Sequence, residues 1–189
     1  MEPLGTGISF VSSSAGKMKE ALLFCPGLTQ LKIDLAEIQS LDAREVIEAK
    51  LVAAEKHGAG SVLVEDTSLT FSALGRLPGT LIKFFEQEMG NLGLAKLAAK
   101  LGDCNAGART LLGFCDNKRQ QHFFSGELAG TIVFPRGVGF GWDAIFQPSG
   151  YDKTFAELGV EEKGRISMRS RAFEGFKQHI IKTTSISIS

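Results

Sequence analysis

Glu65 and Asp66 close an apolar run in Val64-Glu65-Asp66-Thr67-Ser68. In an open α/β sheet, ligands bind beyond the carboxyl ends of strands. An acid placed there can hold a divalent cation, polarise a water or cap a turn. Glu37, just after a second strand-like run, offers another carboxylate to the same edge. Mg²⁺ is held by one or two carboxylates together with substrate phosphates, so a Glu37/Asp66 pair is sufficient. A second group of residues suits the phosphates. Ser12-Ser13-Ser14-Ala15-Gly16-Lys17 joins a strand-like run to a helix-like one. Small residues let the backbone approach an anion, a helix N-terminus supplies free N–H groups, and Lys17 adds a point charge. The GxxxxGK[ST] spacing of a P-loop is absent, and a serine-rich turn also serves as plain structure.

Three further places carry mixed signals. Lys50 lies within the apolar stripe of Ala43, Val46, Ile47 and Ala54. It either snorkels to solvent on a packed stem or reaches an anion at a cleft edge. Phe140-Gly141-Trp142-Asp143 holds the only tryptophan. An aromatic ring beside a carboxylate suits a purine, the ring stacking and the carboxylate accepting from a base N–H; the same residues also read as core and cap. Glu162-Lys163-Gly164-Arg165-Ile166-Ser167-Met168-Arg169 precedes or opens the last helix. Basic residues there oppose the helix dipole, which marks either a site or a solvated turn.

The elements that must position these residues alternate. Strands are expected at 8–11, 31–35 and 61–64, with helices at 17–24 and 42–57. Asp42 is the N-cap and Gly58 the stop of the second helix. Two helices at 81–89 and 92–101, split by Gly90 and Gly93, follow the Leu77-Pro78-Gly79 loop. Runs 108–115 and 122–134 flank the polar turn Asp116-Asn117-Lys118-Arg119 and read as an antiparallel hairpin. A Gly-rich loop at 137–141 leads to a terminal helix at 167–182 and a frayed Ser/Thr-rich tail at 183–189. The order implies an α/β fold, a mixed, twisted central sheet flanked by helices. It is read as one domain over 1–189, elongated and two-lobed, with a cleft between the lobes.

Bulk properties narrow the class. The 189 residues carry 21 basic and 21 acidic side chains, so the formal charge is zero. A non-specific nucleic-acid binder needs a basic surface and is disfavoured. Cys25, Cys104 and Cys115 are odd in number and widely spaced, which argues for reduced thiols rather than a zinc site or disulfide framework. The first seven residues contain no basic side chain and no apolar run, and no stretch reaches the roughly 18 apolar residues of a membrane span. A cytoplasmic location is expected.

Taken in order, the motifs resemble the inosine triphosphatase (Ham1-like) family of nucleoside-triphosphate pyrophosphatases. The resemblance is carried by Val64-Glu65-Asp66-Thr67-Ser68-Leu69, Leu77-Pro78-Gly79, Ile82-Lys83-Phe84-Phe85, Phe134-Pro135-Arg136-Gly137, Phe140-Gly141-Trp142-Asp143, Thr154-Phe155-Ala156-Glu157-Leu158 and Glu162-Lys163. It implies Mg²⁺-dependent cleavage of ITP, dITP and XTP between the α- and β-phosphates, with Mn²⁺ as a substitute metal and a homodimeric assembly. It implies Asp66 as the carboxylate that orients water, and Glu37 with Asp66 as metal ligands. By the same resemblance Ser12, Ser13, Ser14 and Lys17, with Lys50, serve the phosphates, Phe140, Trp142, Asp143, Lys163, Ser167 and Arg169 serve the base, and Asp66 and Thr67 also contact substrate. The chain departs from the pattern at Ser12-Ser13-Ser14, where the family has Thr-Gly-Asn, at Met168, where it has His, and at Gly164, where it has Asn. Methionine donates no hydrogen bond, which points to altered base choice. A Maf-type pyrophosphatase with other substrates and a nucleotide-binding homologue without turnover are the competing readings.

Overall fold

The computed structural model describes residues 3–57 and 60–186, and side chains up to residue 183. Seven strands form one mixed sheet: β1 (Ile8–Val11), β2 (Thr29–Leu31), β3 (Ser61–Phe71), β4 (Pro78–Gly79), β5 (Asn105–Cys115), β6 (Gln121–Ile132) and β7 (Phe146–Pro148). The order is β2-β1-β3-β5-β6-β7, with β4 on β3. β2 and β3 run parallel to β1, while β4 and β5 run antiparallel to β3, and the hairpin expected at the polar turn is formed by β5 and β6. Five helices accompany the sheet: α1 (Ala15–Phe24), α2 (Ala43–Glu55), α3 (Ile82–Leu101), α4 (Phe155–Ile166) and α5 (Met168–Ile186).

Local chemistry explains several boundaries. Asp42 caps α2, its side chain accepting from the Arg44 amide, and Ala43, Val46, Ile47, Leu51 and Ala54 form the buried stripe. Gly58, the expected stop, lies outside the described residues. Gly90, at φ 62, breaks α3 where a side chain would be strained, whereas the second expected break, Gly93, is helical.

Four expectations are corrected. β2 is not 31–35 but Thr29–Leu31: β1 ends at Val11, so Leu31 has the last partner and the following residues leave the sheet. β3 does not stop at residue 64. β5 pairs with it continuously from Val62↔Cys115 to Phe71↔Ala106, so the two acids sit in mid-strand rather than at a strand end. Residues 155–166 form a helix that sequence patterning did not indicate, opened by a capping box in which Thr154 and Glu157 exchange side-chain and backbone bonds. Lys163 and Arg165 therefore sit at the carboxyl end of α4, where cations favour the dipole. Of the tail, 183–186 continue α5 instead of fraying, and 187–189 lie outside the described residues.

Three apolar clusters hold the layers. Phe10, Leu63, Phe114, Phe173 and Phe176 join β1, β3 and β5 to α5. Val62, Val64 and Leu111 pack on Ile47 and Leu51 of α2. Leu69, Phe71, Leu94, Trp142, Phe146 and Phe155 fill the far end.

Candidate active site

β3 outruns its neighbour β1. Their pairing ends at Phe10↔Leu63, and β4 meets β3 again only at Leu69. Between them, residues 64–68 are paired to β5 on one edge and face no strand on the other. A cavity of about 310 Å³ is walled by Glu65 and Thr67 of this stretch. The wall is completed by Ser12, Ser13, Ser14 and Lys17 after β1, by Glu37 after β2, and by Lys50 of α2. Phe140, Trp142, Asp143, Lys163 and Arg169 line it too, so nearly all the residues expected to act together share one space. Asp66 and Ser167 are buried beside this wall rather than in it.

Strand alternation separates Glu65 from Asp66, because successive side chains leave a strand on opposite faces. Asp66 joins Val62 and Val64 on the α2 side. There Lys50 Nζ lies 3.3 Å from Asp66 Oδ1 and 2.8 Å from Glu37 Oε1, and donates to the Glu65 carbonyl at 3.1 Å. Lys50 is 5% exposed, so the anchored reading prevails over the snorkelling one. Burial pulls its ammonium down, but Asp66 and Glu37 outweigh that and raise it. Burial lifts the Glu37 carboxyl, yet Lys50 holds it below the ordinary value. Among the described residues, the buried Asp66 Oδ2 has no hydrogen-bond partner, a costly condition for a carboxylate oxygen.

Glu65 joins Leu63 on the α5 side. Arg169 grips it as a fork: Nε donates to Oε2 at 3.0 Å and Nη2 to Oε1 at 2.9 Å. Thr67 Oγ1 donates to Glu65 Oε1 at 2.9 Å, and Lys17 Nζ stands 3.4 Å away. Burial raises the Glu65 carboxyl, but Arg169 and Lys17 overcome it and bring it down to about 2. Arg169 Nη1 also donates to Glu20, whose other oxygen accepts from Lys163 Nζ at 2.7 Å. Lys163 continues to Asp143 Oδ2 at 2.6 Å, and the Phe140 amide donates to the same oxygen at 3.2 Å. Burial pushes Asp143 up, and Lys163 offsets only part of this.

The small-residue turn begins α1. Ser12 Oγ accepts from the Ser14 amide at 3.2 Å, and Ser14 Oγ caps the Lys17 amide at 3.3 Å. The Ala15 and Gly16 amides lie in the helix's first turn, where no intrahelical acceptor exists. Gly16 has a packing reason as well: a Cβ there would fall 2.6 Å from the Phe140 ring. Trp142 meets Phe146 edge-on at 5.5 Å, and Met168, 2% exposed, lines the cavity near Arg169. Ser167 caps the junction of α4 and α5, its Oγ accepting from the Ser170 amide at 3.1 Å.

Glu20, Asp34, Lys83 and Glu86 were not singled out from sequence. Glu20 is one acid in an otherwise ordinary helix, and only the packing of α1 on α4 and α5 gives it two cations. Glu86 could have been found from Ile82, and Lys83 from Glu86, since positions one turn apart on a helix share a face.

Fold and cavity define an α/β protein with one cavity beyond the carboxyl ends of the parallel strands β1 and β2 and along the open edge of β3, lined by lysines, carboxylates and the rings of Phe140 and Trp142. The chain belongs to the Ham1 family, whose profile matches residues 8–179. It is 39% identical over 188 residues to an inosine triphosphate pyrophosphatase of Kluyveromyces lactis, covering 93% of this chain and 96% of that one. It is 43% identical over 176 residues to one of Yarrowia lipolytica, covering 90% and 93%. The Ham1 protein structure of Staphylococcus aureus superposes with a TM-score of 0.79 at 26% identity, covering 93% of this chain and 99% of that one.

Proposed function

We propose that this chain is a nucleoside-triphosphate pyrophosphatase that hydrolyses ITP, dITP and XTP to the nucleoside monophosphate and pyrophosphate. The carrying observation is the buried Asp66 Oδ2, unpartnered among the described residues, beside the Lys50–Glu37 pair of a cavity that Trp142, Asp143 and Lys163 also line. In this reading the cavity is the cleft of a two-lobed domain. The phosphates lie along Lys17, Lys50 and the first-turn amides of α1, and the base lies between Phe140 and Trp142.

The residues fit Mg²⁺, with Mn²⁺ as a substitute. Glu37 and Asp66 each place an oxygen on the same ammonium, and Asp66 keeps a free one; hard oxygen donors suit these cations. Among the described residues no group of three or more His, Cys, Asp or Glu side chains is arranged for a metal, so phosphate oxygens would complete the shell. The bound cation would neutralise phosphate charge. Asp66 orients the attacking water and accepts its proton. Lys50 holds Asp66 and Glu37 in place and, with Lys17, balances charge on the leaving pyrophosphate.

At the base, Lys163 supplies a donor complementary to the O6 of a 6-oxo purine and mismatched to the 6-amino group of adenine. Met168 contributes no donor, so rejection of adenine in this reading rests on Lys163 and on an acceptor for the N1–H. The protein is further proposed to act as a homodimer on the cytoplasmic nucleotide pool. No helix among the described residues is long and apolar enough to cross a membrane. Phosphorus NMR of ITP incubated with enzyme and Mg²⁺ tests the reaction: IMP and pyrophosphate are expected, whereas IDP and orthophosphate would refute it.

A further inference from the structure

Glu86 is absorbed by none of these roles. It lies four residues beyond buried Ile82 on α3, on the face turned to the cavity, which Ile82, Lys83 and Glu86 all line. Its carboxylate stands against the loop that carries the aromatic wall: a Cβ added at Gly141 would lie 3.7 Å from both Glu86 oxygens. α3 is fastened to the same loop further along. After the break at Gly90, Asn91 Nδ2 donates to the Gly141 carbonyl at 3.0 Å. The carboxylate is thus held in register with Trp142 and Asp143.

Two observations turn it toward a ligand. Among the described residues no hydrogen bond or ion pair engages Glu86, although Lys83 is only one turn away. Its neighbour Asp143 is already occupied, Oδ2 taking both Lys163 and the Phe140 amide. Burial first, and then the charge of Asp143, raise the proton affinity of Glu86, so an N–H donor arriving there is well received.

We infer that Glu86 is a specificity-determining residue at the base end of the cavity, accepting a hydrogen bond from a ring N–H of the purine; this rests on the nucleotide reading above. Hypoxanthine, xanthine and guanine carry such a donor. Unsubstituted purine carries none.

The test compares kcat and KM of wild type, Glu86→Gln and Glu86→Ala on ITP, dITP and purine riboside triphosphate, with melting temperatures as a folding control. Alanine is the best helix former, so α3 is preserved. For Glu86→Ala, KM for ITP and dITP should rise about tenfold with kcat unchanged, the expected loss of a charge-assisted bond. Glu86→Gln should fall between, and purine riboside triphosphate should be unaffected. An equal rise for all three nucleotides, a rise for ITP but not dITP, or no change overturns the inference alone. A wild-type enzyme that cleaves none of the three overturns the proposed function and this inference with it.

Discussion

On the α2 side of β3, Asp66 shares a single ammonium with Glu37 and keeps one buried oxygen without a partner among the described residues. On the α5 side, Glu65 has both oxygens taken by Arg169, which also holds Glu20, which in turn holds Lys163 and, through it, Asp143. The two acids are adjacent in the chain, and the strand period alone sends them to opposite duties. The α5 side is satisfied from within: each of these charges has a partner in the protein. The α2 side is left incomplete, and an incomplete polar group inside a protein is expensive unless something arrives to complete it. The difference teaches that charge in a site divides into groups that hold the frame and groups held open for substrate.

Breaking each side should have different consequences. The largest effect is expected for Asp66→Asn: pyrophosphate release from ITP should fall about 10³-fold, with urea midpoint and nucleotide affinity near wild type. Full turnover in this variant would remove Asp66 from the chemistry. Next is Arg169→Leu, which strands Glu65 and Glu20 in the interior. It should cost about 3–5 kcal/mol in urea unfolding, as removal of one member of a buried ion network does. A loss of activity without a loss of stability would place Arg169 on the substrate instead.

Acid should find the α5 side as well. Glu65 sits at about 2 in the folded protein against an ordinary 4.5. A depressed carboxyl contributes its full stability above the unfolded value and loses it as pH falls through the folded one. Stability should therefore decline from about pH 4.5 toward pH 2, and Glu65→Gln should flatten that limb; an unchanged slope would argue against the pairing. The smallest effect is expected for Gly16→Ala. Its methyl would fall 2.6 Å from the Phe140 ring, so about 1–3 kcal/mol of strain or a displaced ring is expected. The readout is a raised KM for ITP with the acid limb untouched.

Much of this was written in local pattern. Asp42 as cap, Lys50 on the buried stripe, the β5–β6 hairpin and the Gly90 break all follow from periodicity and backbone preference. The length of β3 does not, because β5, about 40 residues away, carries its ladder past the acids. Nor does the grip of Arg169 on Glu65, a contact spanning 104 residues of chain. α4 was half legible: Thr154 and Glu157 spell a capping box, but Gly159, at φ 76, and Gly164 interrupt the helical pattern. Site residues that arise from packing between distant helices, such as Glu20, leave no local trace.

The most direct test of the account is the initial rate of pyrophosphate release, with Mg²⁺, from ITP, dITP, XTP, GTP, ATP and dTTP. The 6-oxo recognition proposed here predicts that the inosine and xanthine nucleotides are cleaved far faster than ATP, whose 6-amino edge reverses the donor–acceptor pattern. Cleavage of all purines at one rate would contradict the base assignment, and binding without any cleavage would contradict the enzyme.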